Sequence, residues 1–142
     1  MSYLFDTNII SETIKVKADQ KVIEWLGNIE PSLIYVSVLS FGEIRKGIEL
    51  LEAGIRKETL TTWLEIKLPL WLGNRLLPIT TEVADKWGYM QAIMKKPLAA
   101  IDSLLAATAL HHDLTIVTRN EKDFQYPGLR VFNPFRNSNS PP

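Results

Sequence analysis

The chain has 142 residues, which suits one domain with a sizeable core and leaves little room for a second. Lys+Arg and Asp+Glu number 16 each, so the formal net charge is zero and overall charge singles out no partner; any nucleic acid must be held by basic residues gathered on one face. Cysteine is absent, which excludes disulfides and thiolate metal sites and suits a reducing compartment.

Tyr3-Leu4-Phe5 is a short apolar run that reads as a first strand, ending at Asp6. Thr7 and Asn8 then offer caps for a short helix over 9–13. Residues 19–29 carry Val22, Ile23, Leu26 and Ile29 at helical spacing, and Pro31 stops that helix. Leu33 to Val38 is an apolar, β-branched run of the kind covered on both faces in a parallel sheet. From Ser40 the period changes to a helical stripe, Ile44, Ile48 and Leu51, that ends at Gly54. A further amphipathic stretch covers 56–72, where Pro69 is expected to bend or end the helix. Leu76 to Ile79 reads as a weak strand whose proline places it at an edge or an end.

Thr80 or Thr81 caps the next helix, which runs to about Lys95. After Pro97 an alanine-rich helix covers 101–112, with Ile101, Leu104, Leu105, Thr108 and Ala109 inward, and Asp113 takes the left-handed position behind it. The adjacent His111 and His112 are poorly placed to share one metal ion on a helix. Thr115 to Val117 and Leu129 to Phe132 are the remaining strands. The polar, proline-ended 137–142 is expected to be a flexible tail on a single domain of residues 1–136. The first residues lack the basic stretch and long apolar core of a secretion signal. No apolar run approaches the ~18 residues needed to span a membrane. The expected location is the cytoplasm, with no membrane association.

Strands alternating with helices predict an α/β fold with a mainly parallel sheet between helix layers. In such a fold, strand ends and helix starts share one edge, the edge where ligands bind. Four acids fall there: Asp6 ends strand one, Glu43 lies in the first turn after strand two, Asp102 opens the alanine-rich helix and Asp123 follows the strand at 115–117. Each has a bland explanation. Ser40 to Glu43 fits a capping box; Asp102 complements a helix macrodipole, worth ~0.3–1 kcal/mol; Asp123 reads as a solvated turn residue. Asp6 has no such ready explanation. Carboxylates gathered without cations repel one another unless a divalent metal neutralises them, so the four together point to metal-dependent hydrolysis.

These segments resemble the motifs of PIN-domain ribonucleases. Leu4-Phe-Asp6-Thr-Asn8-Ile-Ile-Ser-Glu12 is similar to their opening and Ser37-Val-Leu-Ser-Phe-Gly-Glu43-Ile-Arg-Lys-Gly47 to their second motif. Asp102-Ser-Leu-Leu-Ala-Ala-Thr resembles the third and Thr118-Arg-Asn120-Glu-Lys-Asp123-Phe124 the fourth. The ordered set runs to about Pro134 and most resembles the VapC toxins of bacterial type II toxin–antitoxin pairs, including their FitB-like branch. Ser103 and Leu104 stand at variable positions, and Asp113 where glycine is common.

The resemblance implies a PIN-like three-layer α/β/α sandwich and an endoribonuclease. It implies Asp6, Glu43, Asp102 and Asp123 as catalytic ligands of Mg²⁺, with Mn²⁺ as substitute, and Asn8, Thr118 and Asn120 in support. It further implies a homodimer, a cognate VapB-like antitoxin that forms a heterotetramer or larger complex and covers the acids, and operator DNA binding by that complex. Arg45, Lys46, Arg119 and Lys122 flank the motifs as RNA contacts, against the plain reading of solvated surface charge. The four tryptophans lie on helical segments and read as core or interface. Two rivals remain: a metal-free partner-binding module, and an Asp-nucleophile phosphatase, whose usual second acid is here Asn8.

Overall fold

Where the sequence alternates between β-branched runs and amphipathic stretches, the chain alternates between short strands and helices. The computed structural model describes residues 1–136. In order these are β1 (Tyr3–Phe5), α1 (Thr7–Thr13), α2 (Gln20–Gly27), β2 (Ile34–Ser37), α3 (Val38–Glu49), α4 (Ile55–Thr62), α5 (Leu68–Leu72), β3 (Leu76–Leu77), α6 (Thr81–Met94), α7 (Ala100–His112), β4 (Thr115–Val117) and β5 (Val131–Phe132).

All five strands are parallel, in the order β3-β2-β1-β4-β5. From β1 the chain steps outward to β2 and β3, then crosses back to β4 and β5 on the other side. The order therefore reverses between β1 and β4, where neighbouring connections leave in opposite directions and open a crevice at the carboxyl ends. Phe5 pairs with Val117 in the register there, so Asp6 and Thr118 emerge side by side.

Alternation along β1 divides the core into two. Tyr3 and Phe5 face one side, packed with Val36, Val117, Ile9, Ile44, Leu64 and Leu68. Leu4 faces the other, with Ile116, Val83, Met90, Leu105 and Ala109. Helices α1–α5 thus cover one face and α6–α7 the other, giving the three-layer sandwich. Trp25 anchors the first side: its ring lies 5.3 Å from Tyr3, 5.9 Å from Phe5 and 5.1 Å from Phe132, centroid to centroid.

Several boundaries differ from the sequence expectation, each for a local reason. Asp6, rather than Thr7 or Asn8, caps α1, its carboxylate accepting from the Thr7 N–H. Helix α3 starts at Val38, capped by the Ser37 hydroxyl, which accepts from the Leu39 N–H. Glu43 is therefore in the second turn, out of reach of the cap, and the Ser40–Glu43 capping box does not form. Pro69 does not end its helix where it stands, since α5 continues to Leu72. The π-helical turn Trp63–Lys67 ahead of it bonds the Leu68 N–H to the Trp63 carbonyl, and this wider winding runs into α5, where Pro69 sits in the first turn and its missing N–H costs little. In α7 the inward set is Ser103, Leu105, Ala106, Ala107, Thr108 and Ala109, with Ile101 and Leu104 only partly covered.

Asp113 does adopt the left-handed conformation behind α7, at φ 56°, and Thr80 caps α6 through the Val83 N–H. The tail expected over 137–142 lies outside the described residues. No helix among the described residues is long and apolar enough to cross a membrane.

Candidate active site

Asp6 is 7% exposed at the end of β1 and is held from three directions. The Thr7 N–H donates to Oδ1 at 2.8 Å, and the Thr118 hydroxyl and the Asn8 side-chain amide donate to Oδ2 at 2.8 and 3.2 Å. Asn8 Oδ1 in turn accepts from the Arg119 N–H, and Thr118 Oγ1 accepts from the Asn120 N–H. The segment after β4 is thereby tied to the segment after β1, and Asn8 and Thr118 act as orienting residues. Asn120 contributes its backbone N–H rather than its side chain.

Glu43 is held by a residue the sequence reading did not single out: the Thr7 hydroxyl donates to Glu43 Oε1 at 2.5 Å. Thr7 stands one position from Asp6, and nothing in the sequence links it to a carboxylate 36 positions away.

Electrostatics show that the four acids share one neighbourhood. Burial raises the Asp6 carboxyl above its ordinary range; the Thr118 and Thr7 hydrogen bonds lower it, and the charges of Glu43 and Asp123 raise it again. Burial first, then the charges of Asp6, Asp123 and Glu43, push Asp102 up to about 6. A helix N-terminus alone would lower this carboxyl, so the macrodipole does not dominate at Asp102. Asp123 sits exposed in a 3₁₀ turn, Glu121–Phe124, yet its charge reaches both Asp6 and Asp102. Tyr126 feels the same field: burial, then Asp102 and Asp123, keep its phenol protonated beyond its usual range.

Among the described residues, no basic side chain lies within 4.0 Å of any of the four acids. Such a donor set, all carboxylate oxygen with uncompensated negative charge, matches the preference of a hard divalent cation. The side chains do not converge fully, however. Among the described residues no three His, Cys, Asp or Glu groups are arranged to hold one ion. Glu43 is turned onto Thr7.

The basic candidates divide. Arg45 is engaged by Glu49 at 3.2 Å and by Glu65 at 2.5 Å, whereas Lys46 is exposed on α3. Arg119 is exposed with its guanidinium 4.8 Å from the centre of the Phe135 ring. Lys122 lines a cleft of about 180 Å³ together with Asp102, Asp123 and Tyr126.

Comparison with known proteins bears directly on this arrangement. Residues 3–128 match the PIN domain family. The chain is a PIN domain. It is 37% identical over 136 residues to the toxin FitB of Neisseria gonorrhoeae, covering 93% of this chain and 97% of that one. It is 30% identical over 135 residues to the VapC ribonuclease Y4jK of Sinorhizobium fredii, covering 93% and 96%. Among solved structures, this PIN domain superposes on FitAcB from Neisseria gonorrhoeae with a TM-score of 0.84 at 33% identity, over 94% of this chain and 98% of that one. FitAB bound to an IR36 DNA fragment gives 0.85 at 32% identity, over 94% and 95%. The sequence resemblance to PIN domains and to their VapC and FitB-like members is therefore sound, as is the three-layer fold it implied.

Proposed function

We propose that this PIN domain is a divalent-metal-dependent endoribonuclease and acts as the toxin of a type II toxin–antitoxin pair. The observation that carries the reading is the gathering of four acids at the carboxyl edge with no basic side chain within 4.0 Å among the described residues. Burial first, then the charges of Glu43 and Asp123, raises Asp6, and burial first, then the charges of Asp6, Asp123 and Glu43, raises Asp102. Uncompensated acids at a topological switch point oppose folding, and a site that binds Mg²⁺ or Mn²⁺ gives them a use.

Asp6, Glu43, Asp102 and Asp123 would hold the ion, directly or through water. When bound, the ion would supply Lewis-acid stabilisation of the phosphate oxygens and an acidified water as nucleophile. The chain's own residues do the positioning. Thr118 and Asn8 fix the Asp6 carboxylate, Thr7 holds Glu43 close by, and Asp123, exposed at the rim, orients water or completes the set. Products with a 3′-hydroxyl and a 5′-phosphate are expected.

The relatives supply the biological setting. By analogy with FitAB and its DNA complex, this chain would pair with a VapB-like antitoxin, form a homodimer within a heterotetramer or larger assembly, and bind operator DNA through that complex in the cytoplasm. The phosphatase reading is weakened by Asn8, whose amide is occupied by Asp6, Thr118 and Arg119 and offers no acid.

Incubating purified protein with RNA in Mn²⁺ or EDTA, beside an Asp6→Asn variant, tests the proposal. Cleavage that needs the metal and drops by at least ~100-fold in the variant supports it. Metal-independent cleavage, or a variant that cuts as well as wild type, refutes it.

A further inference from the structure

Helix α6 ends abruptly at Lys95, a non-glycine residue in the left-handed region at φ 53°. The chain turns there into the segment 96–99, which leads into α7 and so to Asp102. Lys96, Pro97 and Leu98 line the cleft of about 180 Å³ together with Tyr126. Asp102 and Asp123 lie along its acidic side, so the cleft opens directly beside the candidate active site. Two cations, Lys96 and Lys122, line it as well, and neither has a carboxylate within 4.0 Å among the described residues.

This combination discriminates between ligands. A bare anion would meet Asp102 and Asp123 and be repelled. A bare cation would have no use for Tyr126, Pro97 and Leu98, nor for two lysines. A ligand with flat apolar faces and an attached phosphate satisfies all three features at once. The volume is below the ~300–1,000 Å³ of clefts that enclose whole drug-sized molecules, so it takes a single ring system. Tyr126 is only partly buried and lines the cleft.

We propose that this cleft is a nucleobase subsite: it receives the base of an RNA nucleotide next to the cleaved bond, with Tyr126 as the stacking platform and Lys96 and Lys122 contacting the flanking phosphates. The inference rests on the ribonuclease reading and adds to it a place where the base is gripped. Stacking on an aromatic ring tolerates every base, so the subsite confers single-strand preference, and the cramped walls decide which bases fit.

The test measures binding and cleavage separately. Anisotropy of a labelled single-stranded RNA oligonucleotide is compared with an abasic oligonucleotide of equal length, with Ca²⁺ present. The wild type is expected to bind the base-bearing strand about tenfold more tightly, and Tyr126→Leu to lose that preference, with Tyr126→Phe restoring most of it because the ring remains. In cleavage with Mn²⁺, Tyr126→Leu is expected to raise KM about tenfold with a much smaller change in kcat, and to redistribute the cut sites. Tyr126 also packs against the α6–α7 core, so Lys96→Gln, at an exposed position, provides a variant that does not disturb folding. It should weaken binding of both strands and flatten the salt dependence by about one ion. Equal wild-type affinity for the two strands overturns the subsite, as does a Tyr126→Leu variant with unaltered KM and cut sites. Base-dependent binding that vanishes in Tyr126→Leu, without any RNA cleavage by wild type, upholds the subsite and overturns the nuclease reading alone.

Discussion

The Thr118 hydroxyl donates to Asp6 Oδ2 at 2.8 Å, joining residues 112 positions apart at the ends of strands β1 and β4. Burial, the larger effect, raises the Asp6 carboxyl and this bond lowers it, so the hydroxyl offsets part of the cost of burial and fixes how the carboxylate is turned. Thr118→Val preserves the shape and removes the donor. Orienting partners of metal ligands typically contribute ~10–100-fold in affinity, so Mn²⁺ affinity at neutral pH should fall by that range, as read by calorimetric titration. Wild-type affinity in the variant would show that Asp6 is held adequately by Thr7 and Asn8.

Asp102 sets a pH dependence. Its carboxyl is raised from 3.8 to about 6, so the folded protein holds this proton more tightly than the unfolded chain does. Its stabilising contribution is therefore fully present below pH 3.8 and is lost as pH rises through about 6. In EDTA the melting temperature should decline across that window, and less so in Asp102→Asn. Divalent ions compete with the proton, so Mn²⁺ should protect more strongly above pH 6 than below it. Melting curves with and without Mn²⁺ across the window check both signs.

Arg119 stands over Phe135, and its backbone carbonyl accepts from the Asn133 side chain at 3.2 Å, while Asn133 Oδ1 accepts from the Phe135 N–H. The segment after β5 thus holds Arg119, whose backbone N–H donates to the Asn8 side chain beside Asp6. Arg119→Ala should weaken RNA binding and reduce the slope of log affinity against log salt by about one. Binding titrations at several salt concentrations decide it; an unchanged slope assigns Arg119 to solvated surface charge.

Trp25 joins β1, α2 and β5 through its contacts with Tyr3, Phe5 and Phe132. It is 4% exposed, and truncation of a buried aromatic costs about 3–5 kcal/mol. Trp25→Ala should lower the urea midpoint correspondingly, with the denaturant slope retained.

The parallel sheet and its acidic edge were legible because two periodicities alternate along the chain and because Asp6, Asp102 and Asp123 each follow or precede an unmistakable apolar run. Local boundaries were less so. Ser37 and Ser40 both satisfy the rules for a helix cap, and nothing local shows that β2 runs only to Ser37, where it pairs with Leu77. Pro69 looked like a break because the i→i+5 winding before it has no sequence signature. Thr7, Lys96 and Tyr126 were missed for a different reason: each gains its place by contacts between distant segments, which composition and spacing do not encode. The aromatic at 126 follows the fourth acid by only three residues, but nothing local marks it as lining a cleft.

The order of the strands also has a temporal side. During synthesis Asp6 precedes its partner Thr118 by 112 residues, an interval of roughly 6 to 22 s at ~5–20 residues per second. Until β4 arrives, β1 lacks one neighbour and Asp6 lacks the hydroxyl that orients it. A chain made as far as α7 therefore carries Asp6, Glu43 and Asp102 without the strand that completes their edge. The topology delays the assembly of the acidic edge until β4 and the turn that carries Asp123 have been made.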